Sequence, residues 1–133
     1  PNFVRQAISG QPITVYGDGE QRRCFTDVSD VVWALLRLAE HEGAVGQVIN
    51  IGNDSREVSI MDLAKLVKAK TNSPSKIVLV PYAEAYEEGF EDMPRRVPDL
   101  TKIKKLIGYE PKVDLDGILD RVIEHFTTNE GRV

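Results

Sequence analysis

Two arginines leave a glycine turn side by side. In the stretch Ile13 to Asp30, ITVYGDGEQRRCFTDVSD, Gly17 and Gly19 flank Asp18, and Arg22-Arg23 follow. Glycine adopts positive φ at no steric cost and lets another group approach the backbone closely. Neighbouring side chains of a strand point to opposite faces, so one arginine can face a pocket while the other faces solvent. Exposed turn amides beside a guanidinium suit a phosphate or a carboxylate. The same residues also read as a plain hairpin with an Asp-Gly turn. Tyr16, at the edge of the turn, is placed either to stack on a base or to pack as a hairpin aromatic. A second arginine, Arg96, sits between Pro94 and Pro98. Restrained backbone on both sides makes it a candidate anion clamp, with ion pairing to Glu91 or Asp92 as the alternative. The carboxylates from Glu84 to Asp92 read as a catalytic pair or, in the more ordinary case, as a solvated acidic face.

Other chemistries find little support. His41 and His125 are remote from each other, and neither has a Cys or His at metal-ligand spacing. Both read as solvated histidines, His41 at a helix C-terminus where a partly protonated imidazole is favourable. Gly17-Asp18-Gly19 is followed by Glu20, Gln21 and Arg22, with no third glycine and no helix opening there, so it is not a dinucleotide fingerprint. No tyrosine is followed four residues later by lysine. Cys24, the single cysteine, excludes an internal disulfide and fits a reducing, cytoplasmic setting. Beside Phe25 it reads as a small packed hydrophobe. A net charge of −4 over 133 residues gives no general attraction to nucleic acid or to an anionic membrane. No apolar run reaches membrane-spanning length.

The elements that must position these groups alternate between α and β. Phe3, Val4, Ala7 and Ile8 have helical spacing, with Ser9-Gly10 as the stop. Ile13–Tyr16 and Arg22–Thr26 read as strands around the glycine turn. Asp27 or Ser29 caps a helix carrying Val32, Leu35, Leu36 and Ala39, and ending near Glu42-Gly43. Trp33 and Leu38 widen its apolar face, which predicts burial on more than one side. Gln47–Gly52 (QVINIG) predicts a buried parallel strand, although no parallel neighbours are evident upstream. Glu57–Ser59 predicts a small edge strand. Ser59 and Asp62 then form a capping-box pattern ahead of Leu63, Leu66 and Val67. Lys76–Val80 predicts a strand. Tyr82 to Pro98 predicts a loop with one helical turn around Ala83–Glu87, the kind of long loop that often carries function. Asp99 caps a short helix ended by Gly108, and a last helix from Leu115 aligns Ile118, Leu119, Val122, Ile123 and Phe126. The opening Pro1-Asn2-Phe3, without methionine, suggests the C-terminal part of a longer protein.

The segments QPITVYGDGEQRRCFTDVSDVVWALLRLAE, GQVINIGN, EVSIMDLAKLV and GFEDMPRRVPDLTKIKKLIGYEPKVDLDGIL together resemble the C-terminal half of an extended short-chain dehydrogenase/reductase acting on nucleotide sugars. The resemblance covers nearly the whole chain in order. Within that superfamily the chain looks most like UDP-glucuronate decarboxylases. The dTDP-glucose 4,6-dehydratases and UDP-glucose 4-epimerases share the architecture and are the alternatives. The dehydratases' basic Arg-Pro-Gly-His type loop is replaced here by Gly89-Phe90-Glu91-Asp92-Met93.

The resemblance implies an α/β fold: the C-terminal part of a Rossmann-like enzyme with a small substrate-binding subdomain. It implies a UDP- or dTDP-sugar partner, with Thr14, Val15, Tyr16, Gly17, Gln21 and Arg23 lining the nucleotide side. Tyr16 would lie near the base and Arg23 on the diphosphate, with Phe90 as a pocket aromatic. Arg96 would contact the substrate and take part in catalysis. NAD would be bound by an N-terminal half that residues 1–133 lack, together with the family's Tyr-x-x-x-Lys pair. The implied chemistry passes through a 4-keto sugar, and the fragment alone would bind without turning over. A homodimer is expected. The rival expectation is a non-catalytic binding or dimerising module.

Overall fold

A computed structural model describes residues 1–85 and 92–129. The chain divides into two compact units. The first comprises Pro1–Arg23, Val58–Arg95 and Leu119–Val133, the second Cys24–Glu57 and Arg96–Ile118.

In the first unit, β1 (Ile13–Tyr16) lies parallel to β4 (Ile77–Val80), with Ile13 opposite Ile77 and Tyr16 opposite Val80. The ladder is extended at both ends, by Ile13 N–H to Lys76 O at 2.8 Å and Gly17 N–H to Val80 O at 2.9 Å. The period of two sends Ile13 and Val15 into the core, both fully buried, and turns Thr14 and Tyr16 to the other face. Helix α1 (Asn2–Ile8) contributes Val4 and Ala7 to that core, and α3 (Ile60–Lys70) contributes Leu63, Ala64 and Val67. At 7 residues, α1 is too short to persist by propensity, so packing must hold it. Gln6 ties it to β1 twice: Nε2 donates to Thr14 Oγ1 at 2.9 Å and Oε1 accepts from Thr14 N–H at 3.2 Å. Ser73 Oγ donates to Ala7 O at 2.6 Å. Helix α3 starts as its capping pattern predicts, with Ser59 Oγ accepting from Asp62 N–H at 3.0 Å.

Strand β2 (Arg22–Cys24) does not pair back onto β1. It is the middle strand of a sheet ordered β3-β2-β5, with β3 spanning Glu57–Ser59 and β5 Arg95–Arg96. The hairpin reading of the glycine turn is therefore excluded. The turn instead carries the chain from one sheet to another, with Gly17 at φ +69° and Gly19 at φ +76°.

The second unit is built on α2 (Val28–Ala39), capped by Asp27, whose Oδ1 accepts from Ser29 N–H at 2.9 Å. Its core is Ala34, Leu100, Ile103 and Tyr109, with Leu38, Ile49, Ile51 and Ile107 packed around them. Tyr109 donates its hydroxyl to Gly52 O at 2.8 Å. The Asp30 carboxylate, also buried, accepts the backbone N–H groups of Lys112 and Val113 at 3.1 and 3.2 Å. Helix α5 (Thr101–Ile107) ends on left-handed Gly108. The last helix, α6, spans Leu115–Asn129 and buries Leu115 and Leu119. Between β4 and β5, α4 (Tyr82–Ala85) is the expected helical turn.

Three expectations need correction. Helix α2 is not buried on more than one side. Its Ala34–Leu38 flank finds Leu100, Ile103 and Tyr109, while Val28, Val32, Trp33, Leu35 and Leu36 are all exposed, Val28 by 74%. Gln47–Gly52 forms no strand: it has no ladder partner among the described residues, and Val48 is 85% exposed. Finally, His41 lies beyond α2, which stops at Ala39, and its Nδ1 caps a short 3₁₀ turn by accepting from Gly43 N–H at 3.1 Å.

Candidate functional site

A pocket of about 420 Å³ opens in the first unit. Asn2, Phe3, Arg5 and Gln6 of α1 form one wall, and Thr14 and Tyr16 of β1 another. Gln21, Arg23, Ile60, Tyr82 and Asp92 complete it.

The local folding that places these groups follows from the glycine turn. Strand β1 ends at Tyr16, which is 40% exposed on the pocket side. Gly17 then reverses the chain. A Cβ there would lie 2.4 Å from Tyr82 Cε2, so both its positive φ and the space around it require glycine. A Cβ at Gly19 would meet Val15 Cγ1 at 2.9 Å and Met61 Cβ at 3.0 Å. The chain re-enters β2 with alternation as expected: Arg23 lines the pocket and Arg22 is exposed.

Four polar side chains interlock on this wall. Arg23 Nη2 donates to Asp92 Oδ1 at 2.5 Å, and Nη1 to Arg22 O at 2.7 Å. Tyr82 donates its hydroxyl to Asp92 Oδ2 at 3.1 Å. Gln21 Nε2 donates to the Tyr82 hydroxyl at 2.9 Å and to Tyr16 O at 3.1 Å. Gln21 Oε1 is buried and has no hydrogen-bond partner among the described residues. Burial, then the hydrogen bond to Asp92, raises the Tyr82 phenol above its ordinary range, so it remains a neutral donor at physiological pH. The Arg23–Asp92 pair is mostly shielded, the side chains being 16% and 23% exposed.

The sequence-derived site residues are distributed unevenly. Thr14, Tyr16, Gln21 and Arg23 meet in the pocket. Gly17 supplies its turn. Val15 is fully buried and does not line the pocket. Arg96 is exposed, belongs to the second unit and does not line the pocket. Phe90 lies outside the described residues. Asp92, which local spacing paired with Arg95 and Arg96, is engaged by Arg23 and Tyr82 instead.

Sequence reasoning missed α1 as a wall. Its signal was present: Asn2, Arg5 and Gln6 form a polar stripe at helical spacing, beside the apolar Val4 and Ala7. Tyr82 offered no comparable signal, because its role depends on the pairing of β4 with β1.

A second guanidinium, Arg5, joins Arg23 on the lining. Two cationic forks, the Tyr16 ring and a buried amide acceptor suit a ligand with anionic and planar parts. Among the described residues no group of His, Cys, Asp and Glu is placed to hold a metal ion. The glycine turn leads into β2 and opens no helix, so it is not a dinucleotide-binding loop.

The sequence profile of the NAD dependent epimerase/dehydratase family matches residues 1–52. The chain is 44% identical, over 95% of its length, to UDP-N-acetyl-alpha-D-glucosaminuronate decarboxylase of Bacillus cytotoxicus, and covers 39% of that protein. It is 43% identical, over 94% of its length, to UDP-glucuronic acid decarboxylase 4 of Arabidopsis thaliana, covering 26% of it. Among solved structures, UDP-glucose 4-epimerase of Thermotoga maritima with UDP-glucose superposes at a TM-score of 0.82 and 32% identity, over 96% of this chain and 38% of that one. The chain thus spans well under half the length of these relatives. Residues 1–52 match that family's profile, and nearly the whole chain is similar to a part of each of these proteins.

Proposed function

We propose that residues 1–133 are the nucleotide-sugar-binding portion of a longer NAD-dependent enzyme that acts on a UDP-sugar, with decarboxylation of a UDP-uronic acid as its reaction. The observation that carries this reading is the pocket itself. Arg23 and Tyr16 are brought to one wall by a turn that only glycine can make, in a chain 44% identical to a UDP-sugar decarboxylase. Arg23 receives the diphosphate, Tyr16 lies near the base, and Thr14 and Gln21 contribute polar contacts. The sugar-side roles of Arg96 and Phe90 rest on the resemblance alone, since Arg96 belongs to the second unit and Phe90 lies outside the described residues. NAD is held by an N-terminal part of that longer enzyme, as the resemblance implies. The protein is cytoplasmic, in keeping with its single cysteine, Cys24, and works as a homodimer.

Incubation of the full-length protein with NAD⁺ and, separately, UDP-glucuronate, UDP-glucose and dTDP-glucose tests the assignment. Carbon dioxide release from UDP-glucuronate supports decarboxylation. Conversion of UDP-glucose to its C4 epimer, or of dTDP-glucose to a 4-keto-6-deoxy sugar, would reassign the reaction. The 133-residue chain alone, supplied with NAD⁺, should show no turnover.

A further inference from the structure

We propose that Tyr82 is a positioning residue for the ligand-binding wall: one phenol fixes the glycine turn, the Gln21 amide and, through Asp92, the Arg23 guanidinium. The inference rests on the reading of the pocket as a nucleoside-diphosphate site and adds a residue to it.

The placement begins in the sheet. Val80 pairs with Tyr16 at the ends of the parallel ladder, and Gly17 N–H continues the bonding to Val80 O at 2.9 Å. Pro81 then turns the chain into α4, and Tyr82 emerges against the glycine turn. Its ring occupies the space a side chain at position 17 would need, with Cε2 and Cζ 2.4 and 2.9 Å from an ideal Cβ there. Ring and turn therefore constrain one another.

The hydroxyl does separate work. It accepts from Gln21 Nε2 at 2.9 Å and donates to Asp92 Oδ2 at 3.1 Å. Gln21 Nε2 also donates to Tyr16 O at 3.1 Å, and a carbonyl oxygen accepts only from the nitrogen end of an amide. The orientation of Gln21 is thereby set, and Oε1 is kept as a buried acceptor without a partner among the described residues. A ligand hydroxyl or N–H that reached it would satisfy an acceptor that is otherwise costly to bury. With Oδ2 of Asp92 held by the phenol, Oδ1 is held toward Arg23 Nη2 at 2.5 Å. The guanidinium that is to meet the diphosphate is thus oriented by a chain that begins at Tyr82. Fixing such a group before the ligand arrives reduces the ordering cost of binding.

The test is UDP affinity of the full-length protein by calorimetry, for wild type, Tyr82→Phe, Arg23→Ala and the double variant. Tyr82→Phe keeps the ring against Gly17 and removes only the hydroxyl. It should weaken UDP binding about threefold to tenfold, the scale of one net hydrogen bond, with the protein still folded and the thermal midpoint lowered only by the few degrees that two lost hydrogen bonds cost. In the Arg23→Ala background the same change should cost less than about twofold, because interacting residues are non-additive. If Arg23→Ala weakens UDP binding but Tyr82→Phe does not, the positioning role is overturned and the proposed function stands. Equal losses from Tyr82→Phe in both backgrounds, or a collapse of thermal stability, also overturn the positioning role. If Arg23→Ala leaves UDP affinity unchanged, both readings fall.

Discussion

Gly17→Ala should disrupt the pocket far more than a single methyl would suggest, and Gly10→Ala is its internal control. Both glycines adopt nearly the same left-handed backbone, φ +69° and φ +70°. Forcing alanine into that region costs on the order of 1–2 kcal/mol at either site. Their surroundings differ completely. A Cβ at Gly10 meets nothing within 4 Å, whereas one at Gly17 would lie 2.4 Å from Tyr82 Cε2. The obstacle is an aromatic ring whose hydroxyl bonds Gln21 and Asp92. Moving it breaks those two bonds, each worth roughly 0.5–1.5 kcal/mol net. Gly17→Ala should therefore exceed Gly10→Ala by about 1–3 kcal/mol in urea-unfolding free energy. It should also weaken UDP binding, which Gly10→Ala should leave unchanged. Equal destabilisation by the two substitutions would refute the reasoning, since it would mean the ring yields freely and does not brace the turn.

Two further substitutions test the supports of the fold. Asp30→Ala removes a buried carboxylate that accepts the Lys112 and Val113 amides, and leaves both donors without it. Urea unfolding should report a loss of about 2–4 kcal/mol, whereas a change near zero would show that solvent takes over those amides. Ser59→Ala removes the N-cap of α3 and should cost about 1 kcal/mol by the same assay. The cap also has a pH signature. A hydrogen bond from Ser59 holds the Asp62 carboxyl below its ordinary range. A depressed folded-state value gives stability that is present above the unfolded value, about 4, and is lost as pH falls through the folded one. Ser59→Ala should therefore flatten the acid limb of the stability profile, and an unchanged limb would contradict the reciprocal cap.

Local features of the fold were legible because local chemistry decides them. The Asp27 and Ser59 caps, the stop at Gly108 and the alternation that separates Arg22 from Arg23 each depend on a few adjacent residues. Pairing was not legible. Gln47–Gly52 has the composition of a buried strand, yet a strand needs a ladder partner and none is present among the described residues. Trp33 and Leu36 likewise signalled a buried helix face, but burial depends on what packs there, and both are exposed. In the site, Tyr16, Gln21 and Arg23 were found because they flank a glycine turn. Tyr82 and Asp92 were not assigned to that wall, because the contacts of Tyr82 with Gln21 and of Asp92 with Arg23 span 61 and 69 residues of sequence. The helical wall carrying Asn2 and Arg5 was hidden for a different reason: a short polar stripe on an amphipathic helix looks the same whether it faces solvent or a ligand.

The central claim is that Arg23 forms the anion-binding point of a nucleotide-sugar pocket. Calorimetric titration of the full-length protein with UDP, wild type against Arg23→Ala, addresses it most directly. The account predicts saturable one-site binding for wild type and a loss of roughly 1–3 kcal/mol in the variant, the scale of a charge-assisted hydrogen bond. Equal UDP affinity in the two proteins would contradict it and leave the Arg23–Asp92 pair as a purely structural ion pair.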